Sequence, residues 1–198
     1  MSIFASILRS VYKLSGAKKA FALPEDALRK EIEKQNRHRG VFTPTDRKAY
    51  YETIAAHNNA QPEPLPQPSH IVAVSPGEVP WNDAEKARMQ ALNKRDVSID
   101  YAFMVTVEKF MRHGCENVPD YMLSGSRGDF TGVGDIHFFY SADEVLYGAL
   151  PDFEEACKRA NVPYTVSARP KMVHCYCMLP IFKEAKEDFA KIVDILKK

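Results

Sequence analysis

Apolar positions along this chain follow two periods, and their alternation sets the expected architecture. Near the start, Ile3, Phe4, Ile7, Leu8, Val11 and Tyr12 recur at helical spacing, with Arg9, Lys13, Lys18 and Lys19 nearby. A second helix is predicted from Leu23-Pro24-Glu25-Asp26 to about Arg37. Proline and acids stand in its first turn, bases in its last, and Gly40 follows as a stop. Thr45 is placed to cap a third helix through Ile54, with Tyr50, Tyr51 and Ile54 as its large apolar residues. The Pro-rich polar stretch from Asn58 to Ser69 reads as a linker.

Beyond the linker the pattern changes. Ile71 to Val74 is a β-branched strand closed by Ser75-Pro76-Gly77. Helices are predicted from Asp83 to about Lys94 and from Asp100 to near Gly114. Ile136 to Tyr140 is aromatic and apolar enough for a buried strand, and Tyr164 to Ala168 reads as another. Between them Pro151 and Asp152 open a helix in which Phe153, Ala156, Cys157 and Ala160 share one side. The last helix, about Lys183 to Leu196, carries Phe182, Ala185, Phe189, Ile192, Val193 and Leu196 on the face expected to cross the sheet. Strands near 70–74, 135–140 and 163–168, alternating with helices, specify an α/β fold with about three parallel strands side by side in sequence order. Residues 1–57 form an N-terminal helical region, 58–69 the linker and 70–198 the α/β part.

Candidate chemistry lies at two turns of that last part. Asp143 and Glu144 follow the strand at 135–140, and His174 lies a few residues past the strand at 163–168. A right-handed parallel crossover puts both turns at one end of the sheet, so these acids and the histidine can meet. An acid that holds an imidazole in one tautomer is two-thirds of a hydrolytic triad. The other reading of the same residues is ordinary polar loop positions.

The wording of the turns carries a resemblance. "DEVLY" after a strand and "KMVHCY" further on resemble the end of α/β-hydrolase esterases and lipases of the hormone-sensitive-lipase-like branch. That family carries its acid in a turn reading roughly D/E-x-L-Y and its histidine in one reading G-M-x-H. Lys171 stands here where the glycine is usual. The resemblance implies that His174 and one of Asp143 and Glu144 are catalytic; Glu144 aligns Val145-Leu146-Tyr147 with the family's following residues. "HIVAVSPGEVPW" is similar to the family's strand ending in Ser-Pro-Trp, with Gly77 in place of the tryptophan. "PDYMLSGSRGDFTGVGDIHFFY" and "KKAFALPEDALRKEIEKQNRHRGVFTPTDRKAYYE" match its later loop and its N-terminal cap helices. Arg127-Gly128-Asp129, inside that loop, is read as structural rather than as an adhesion tripeptide.

The same resemblance exposes an omission. Residues 1 to about 54 match the family's start and about 60 to 198 match its end, without the long segment between. That segment would hold the His-Gly-Gly-Gly oxyanion loop and the Gly-x-Ser-x-Gly elbow, and neither motif occurs here. Ser75, Ser98, Ser124, Ser126, Ser141 and Ser167 all lack the flanking glycines that the tight elbow turn requires. The expectation is a truncated esterase-like chain, inactive alone, whose full family acts on small esters. The alternatives are a non-enzymatic binding or membrane-associated module, and one half of a split esterase.

Composition adds exclusions. The formal net charge is +1 over 198 residues, which gives no electrostatic case for nucleic acid. Cys115, Cys157, Cys175 and Cys177 are too sparse for a disulfide scaffold, and Cys175-x-Cys177 has no second pair at ligand spacing, so reduced thiols and neither metal nor cofactor are expected. Arg9 and Lys13 interrupt the apolar core that a secretory signal needs, which points to the cytoplasm despite Ala20-Phe21-Ala22. The basic amphipathic segment 1–20 suits packing on the protein's own body, with contact at a membrane surface as the alternative. An apolar edge left beside Ile71–Val74 makes weak self-association an expectation too.

Overall fold

A computed structural model of the chain describes residues 3–16, 18–19, 22–39, 67–112 and 118–198. The helix expected at Thr45–Ile54, most of the linker, Gly114 and Cys115 lie outside the described residues. The chain divides into two compact units, Leu23–Pro66 on one side and Met1–Ala22 with Gln67–Lys198 on the other.

In the first of these the described element is the second helix of the chain. Helix α2 (Glu25–Arg39) has Glu25 and Asp26 in its first turn, where acids complement the helix dipole, and Arg29 reaches back one turn to Glu25 at 3.0 Å.

The larger unit is built on three parallel strands, β1 (His70–Val74), β2 (Asp135–Ser141) and β3 (Tyr164–Arg169), in the order β1-β2-β3. The register pairs His70 with Asp135 and Ile136 with Tyr164. Successive strand residues point to opposite faces; one face of β2 is apolar and the other sets Phe139 among polar residues, with helices packed on both sides. Ile136, Phe138 and Tyr140 face one side, where they share a core with α3 (Asp83–Leu92), α4 (Tyr101–Arg112) and α6 (Leu150–Arg159) through Met89, Met104, Phe153 and Cys157. Phe138 sits in this core with its ring centroid 5.7 Å from that of Phe153. Phe139 faces the other side with Val72 and Val74, against α1 (Ile3–Ser15) through Ala5, Leu8 and Tyr12 and against α7 (Lys183–Leu196) through Ala185, Ile192 and Ile195. A short helix, α5 (Asp120–Leu123), completes the set, and no helix among the described residues is long and apolar enough to cross a membrane.

Local chemistry sets the element ends. Helix α3 opens at Asp83 as expected, and Asn82 caps it by accepting the backbone N–H of Glu85 at 2.8 Å. Helix α6 starts at Leu150 with Pro151 in its first turn. It stops where Asn161 takes a left-handed φ of 54° and donates its N–H to Lys158. Gly77, where the family pattern has tryptophan, is filled in by a neighbour: a Cβ there would lie 2.7 Å from Leu146 Cδ2.

Helix α7 differs from its expected face. Phe189 is 36 % exposed and Leu196 63 %, while Asp188 is fully buried. The reason is polar: Asp188 accepts from Arg169, from Lys191 at 2.8 Å and from the Tyr176 hydroxyl at 2.5 Å, so the helix turns that carboxylate inward. Helix α1 packs by one side and leaves Ile3, Phe4, Ile7, Val11 and Leu14 more than half exposed on the other. Arg127 of the adhesion-like tripeptide lies 4.5 Å over the Trp81 ring and 3.0 Å from Asp120, a structural role.

A candidate acid–histidine site

The three strands deliver their C-terminal ends to one place. Ser75 follows β1, Asp143 and Glu144 follow β2, and the turn carrying His174 follows β3. In parallel α/β sheets this end is where ligand crevices form, because the connecting loops diverge there. Two of these turns need left-handed backbone, with φ at Ser75 of 44° and at Cys175 of 53°. Lys171 also sits at φ 63°, which explains the glycine usual at this point of the family pattern. A lysine there costs roughly 1–2 kcal/mol of backbone strain, and its N–H donates to Asp143 Oδ2 at 3.2 Å.

Glu144 and His174 meet. The carboxylate is 1 % exposed, and its Oε2 lies 2.8 Å from His174 Nδ1. The other oxygen, Oε1, accepts from the Ser75 hydroxyl at 2.8 Å and from the Ser141 N–H at 3.0 Å. Ser75 Oγ in turn accepts the N–H of Cys175 at 3.1 Å, so one hydroxyl ties the ends of β1, β2 and the histidine turn together. The backbone N–H of His174 donates to Ser98 Oγ at 3.2 Å. Asp96 holds that neighbouring loop by accepting from Ser98 and Ile99 through one oxygen and from Val145 at 2.7 Å through the other.

Asp143 is engaged elsewhere. It pairs with Arg95, and Arg9 of α1 approaches its Oδ2 at 3.3 Å. Asp143 thus anchors α1 and the loop after α3, and it is Glu144 that bonds the imidazole.

The free edge of the ring faces sulfur. His174 Nε2, the atom that would take a proton from a nucleophile, lies 3.2 Å from Cys175 Sγ. Sequence reasoning passed over Cys175 and over the supporting role of Ser75 and Ser141. The signals were adjacency to His174 and position at strand ends. Burial works against a charged imidazole. The hydrogen bonds to Cys175 and Glu144 outweigh it and raise His174 from its ordinary 6.5 to about 10. Burial raises the Glu144 carboxyl, opposed by the hydrogen bond and charge of His174 and by Ser75. Three donors, from Ser75, Ser141 and His174, converge on the acid and favour its charged form against that burial.

Three parallel strands in one sheet, flanked by helices, match a partial α/β-hydrolase fold. No protein-family model matches the chain, and no curated protein does. Solved structures of hormone-sensitive-lipase-type enzymes do. A hormone-sensitive lipase from a metagenome library is similar at TM-score 0.57 and 19 % identity, over 67 % of this chain and 45 % of that one. An esterase from the bacterial hormone-sensitive lipase family gives 0.56 and 22 %, over 68 % of this chain and 44 % of the enzyme. An esterase/lipase from an uncultured bacterium gives 0.54 and 17 %, over 73 % and 46 %. At these identities the likeness is one of fold, and the chain spans less than half the length of each of the three enzymes.

Proposed function

We propose that this chain is an esterase-type α/β-hydrolase site that keeps the acid and histidine, Glu144 and His174, but has no serine nucleophile, and that by itself it does not hydrolyse esters. The observation that carries the reading is the 2.8 Å contact between Glu144 Oε2 and His174 Nδ1 at the C-terminal ends of the strands. Ser75, the serine nearest this pair by its hydrogen bonds, gives its hydroxyl proton to Glu144 and not to the imidazole. The sequence holds neither Gly-x-Ser-x-Gly nor His-Gly-Gly-Gly. Acyl transfer needs an activated nucleophile and donors for the developing oxyanion. Cys175 and Glu144 raise the His174 imidazole well above its ordinary value, which makes it a poorer general base at neutral pH.

Purified chain is expected to hydrolyse p-nitrophenyl acetate and butyrate no faster than its His174→Ala variant at pH 7. Intact mass after treatment with a fluorophosphonate is expected to be unchanged. A stoichiometric adduct on any serine, or turnover lost in His174→Ala, would overturn the reading.

A further inference from the structure

At the opposite end of the strands, a second ionisable cluster lies outside the acid–histidine site. His70 opens β1 and Asp135 opens β2, and the register sets the two directly side by side. His137, two residues further along β2, projects on the same face, and its register partner on β3 is Thr165. Further along that face Val72, Val74 and Phe139 are apolar, while β3 contributes Thr165 and Ser167. Asp135 Oδ1 receives both imidazoles, His70 Nδ1 at 2.8 Å and His137 Nε2 at 3.0 Å. The three candidate ligand atoms lie within 4.8 Å of one another, and all three residues are half-buried.

We propose that His70, Asp135 and His137 bind a divalent transition-metal ion of the zinc type. Two imidazole nitrogens and one carboxylate oxygen are the donor set such ions favour. The distal nitrogen of His137 already has the outer partner that metal-bound histidines commonly show: Nδ1 lies 2.7 Å from Thr165 Oγ1. With Nδ1–H donating to that hydroxyl, the Nε2 lone pair is turned toward the centre of the cluster. At metal–ligand distances near 2.0–2.2 Å, tetrahedral donors stand roughly 3.3–3.5 Å apart. The present contacts must therefore open by about half an ångström, which side-chain rotation supplies. The strands need not move, because the parallel register already fixes all three Cα positions. Three protein ligands leave a fourth position open. All three ligand residues are half-buried and not sealed from solvent, which leaves an ion a way in.

The test uses chain freed of metal with EDTA and titrated with Zn²⁺ by calorimetry and with Co²⁺ by absorbance. Expected are one ion per chain, a visible cobalt spectrum without a near-ultraviolet thiolate band, and affinity reduced about 100-fold or more in His137→Ala. Cys175→Ala is expected to bind as the parent does. His70→Ala, at the start of β1, is the second variant should His137→Ala not fold, and a similar loss there supports the same site. The proposal is overturned by failure of the parent chain to bind either ion. It is equally overturned by unchanged affinity in the folded histidine variant, or by a cobalt thiolate band that disappears in Cys175→Ala.

Discussion

Replacing Glu144 with alanine is expected to lower the unfolding free energy by about 3–5 kcal/mol at pH 7, the range seen when one partner of a buried ion pair is removed. The side chain is 1 % exposed and accepts three hydrogen bonds, from Ser75, Ser141 and His174. Ser141 is fully buried and Ser75 is 5 % exposed, so water does not replace the lost acceptor. Each stranded donor costs roughly 1–3 kcal/mol, and the imidazolium loses its counter-charge as well. Glu144→Gln is expected to cost less, because its carbonyl still accepts from Ser75 and Ser141. The pH dependence separates the ionic part. His174 has its folded value raised from 6.5 to about 10, so its contribution is complete below about 6.5 and fades as pH rises toward 10. Urea unfolding of the parent and both variants at pH 7 and pH 10 measures this. A loss below 1 kcal/mol in Glu144→Ala would remove the pair from any structural role.

Asp188→Ala is expected to produce a loss in the same range of about 3–5 kcal/mol, nearer its lower end because Arg169 stays partly solvated. Asp188 is fully buried on α7 and receives Arg169 through both carboxylate oxygens, Lys191 at 2.8 Å and the Tyr176 hydroxyl at 2.5 Å. Those bonds join α7 to the last residue of β3 and to the turn two residues beyond His174. Burial alone would raise the Asp188 carboxyl, but Arg169, Lys191 and Tyr176 bring it below its ordinary 3.8. Its contribution is therefore present above about pH 3.8 and is lost as the medium becomes more acidic. Asp188→Asn keeps an acceptor for Tyr176 and is expected to fall between parent and alanine variant. Thermal and urea unfolding at pH 7 report the effect, and a change under 1 kcal/mol would contradict it.

The sheet was largely legible in the sequence, because its strands are short β-branched or aromatic runs closed by turn residues. Expected strands at 70–74, 135–140 and 163–168 compare with His70–Val74, Asp135–Ser141 and Tyr164–Arg169. The handedness of parallel crossovers also places Glu144 and His174 at one end of the sheet from sequence alone. What stayed hidden depends on contacts between distant residues. Asp143 is drawn off by Arg9 and Arg95, neither of which is near it in sequence. The inward face of α7 was misjudged because hydrophobic periodicity counts Asp188 as polar, whereas its three partners make burial favourable. Cys175 meets His174 Nε2 through a left-handed backbone that no local pattern signals, and the His70–Asp135–His137 cluster requires the strand register.

The most direct test of the acid–histidine site is the titration of His174 itself, followed by ¹⁵N-edited NMR on histidine-labelled chain and assigned with His174→Gln. The expected result is a ring protonated at both nitrogens at pH 7, with Nδ1–H shifted downfield by its bond to Glu144, losing its proton only near pH 10. An imidazole that titrates near 6.5 and is neutral at pH 7.5 would contradict the ionic pair, and would return His174 to the role of a poised base.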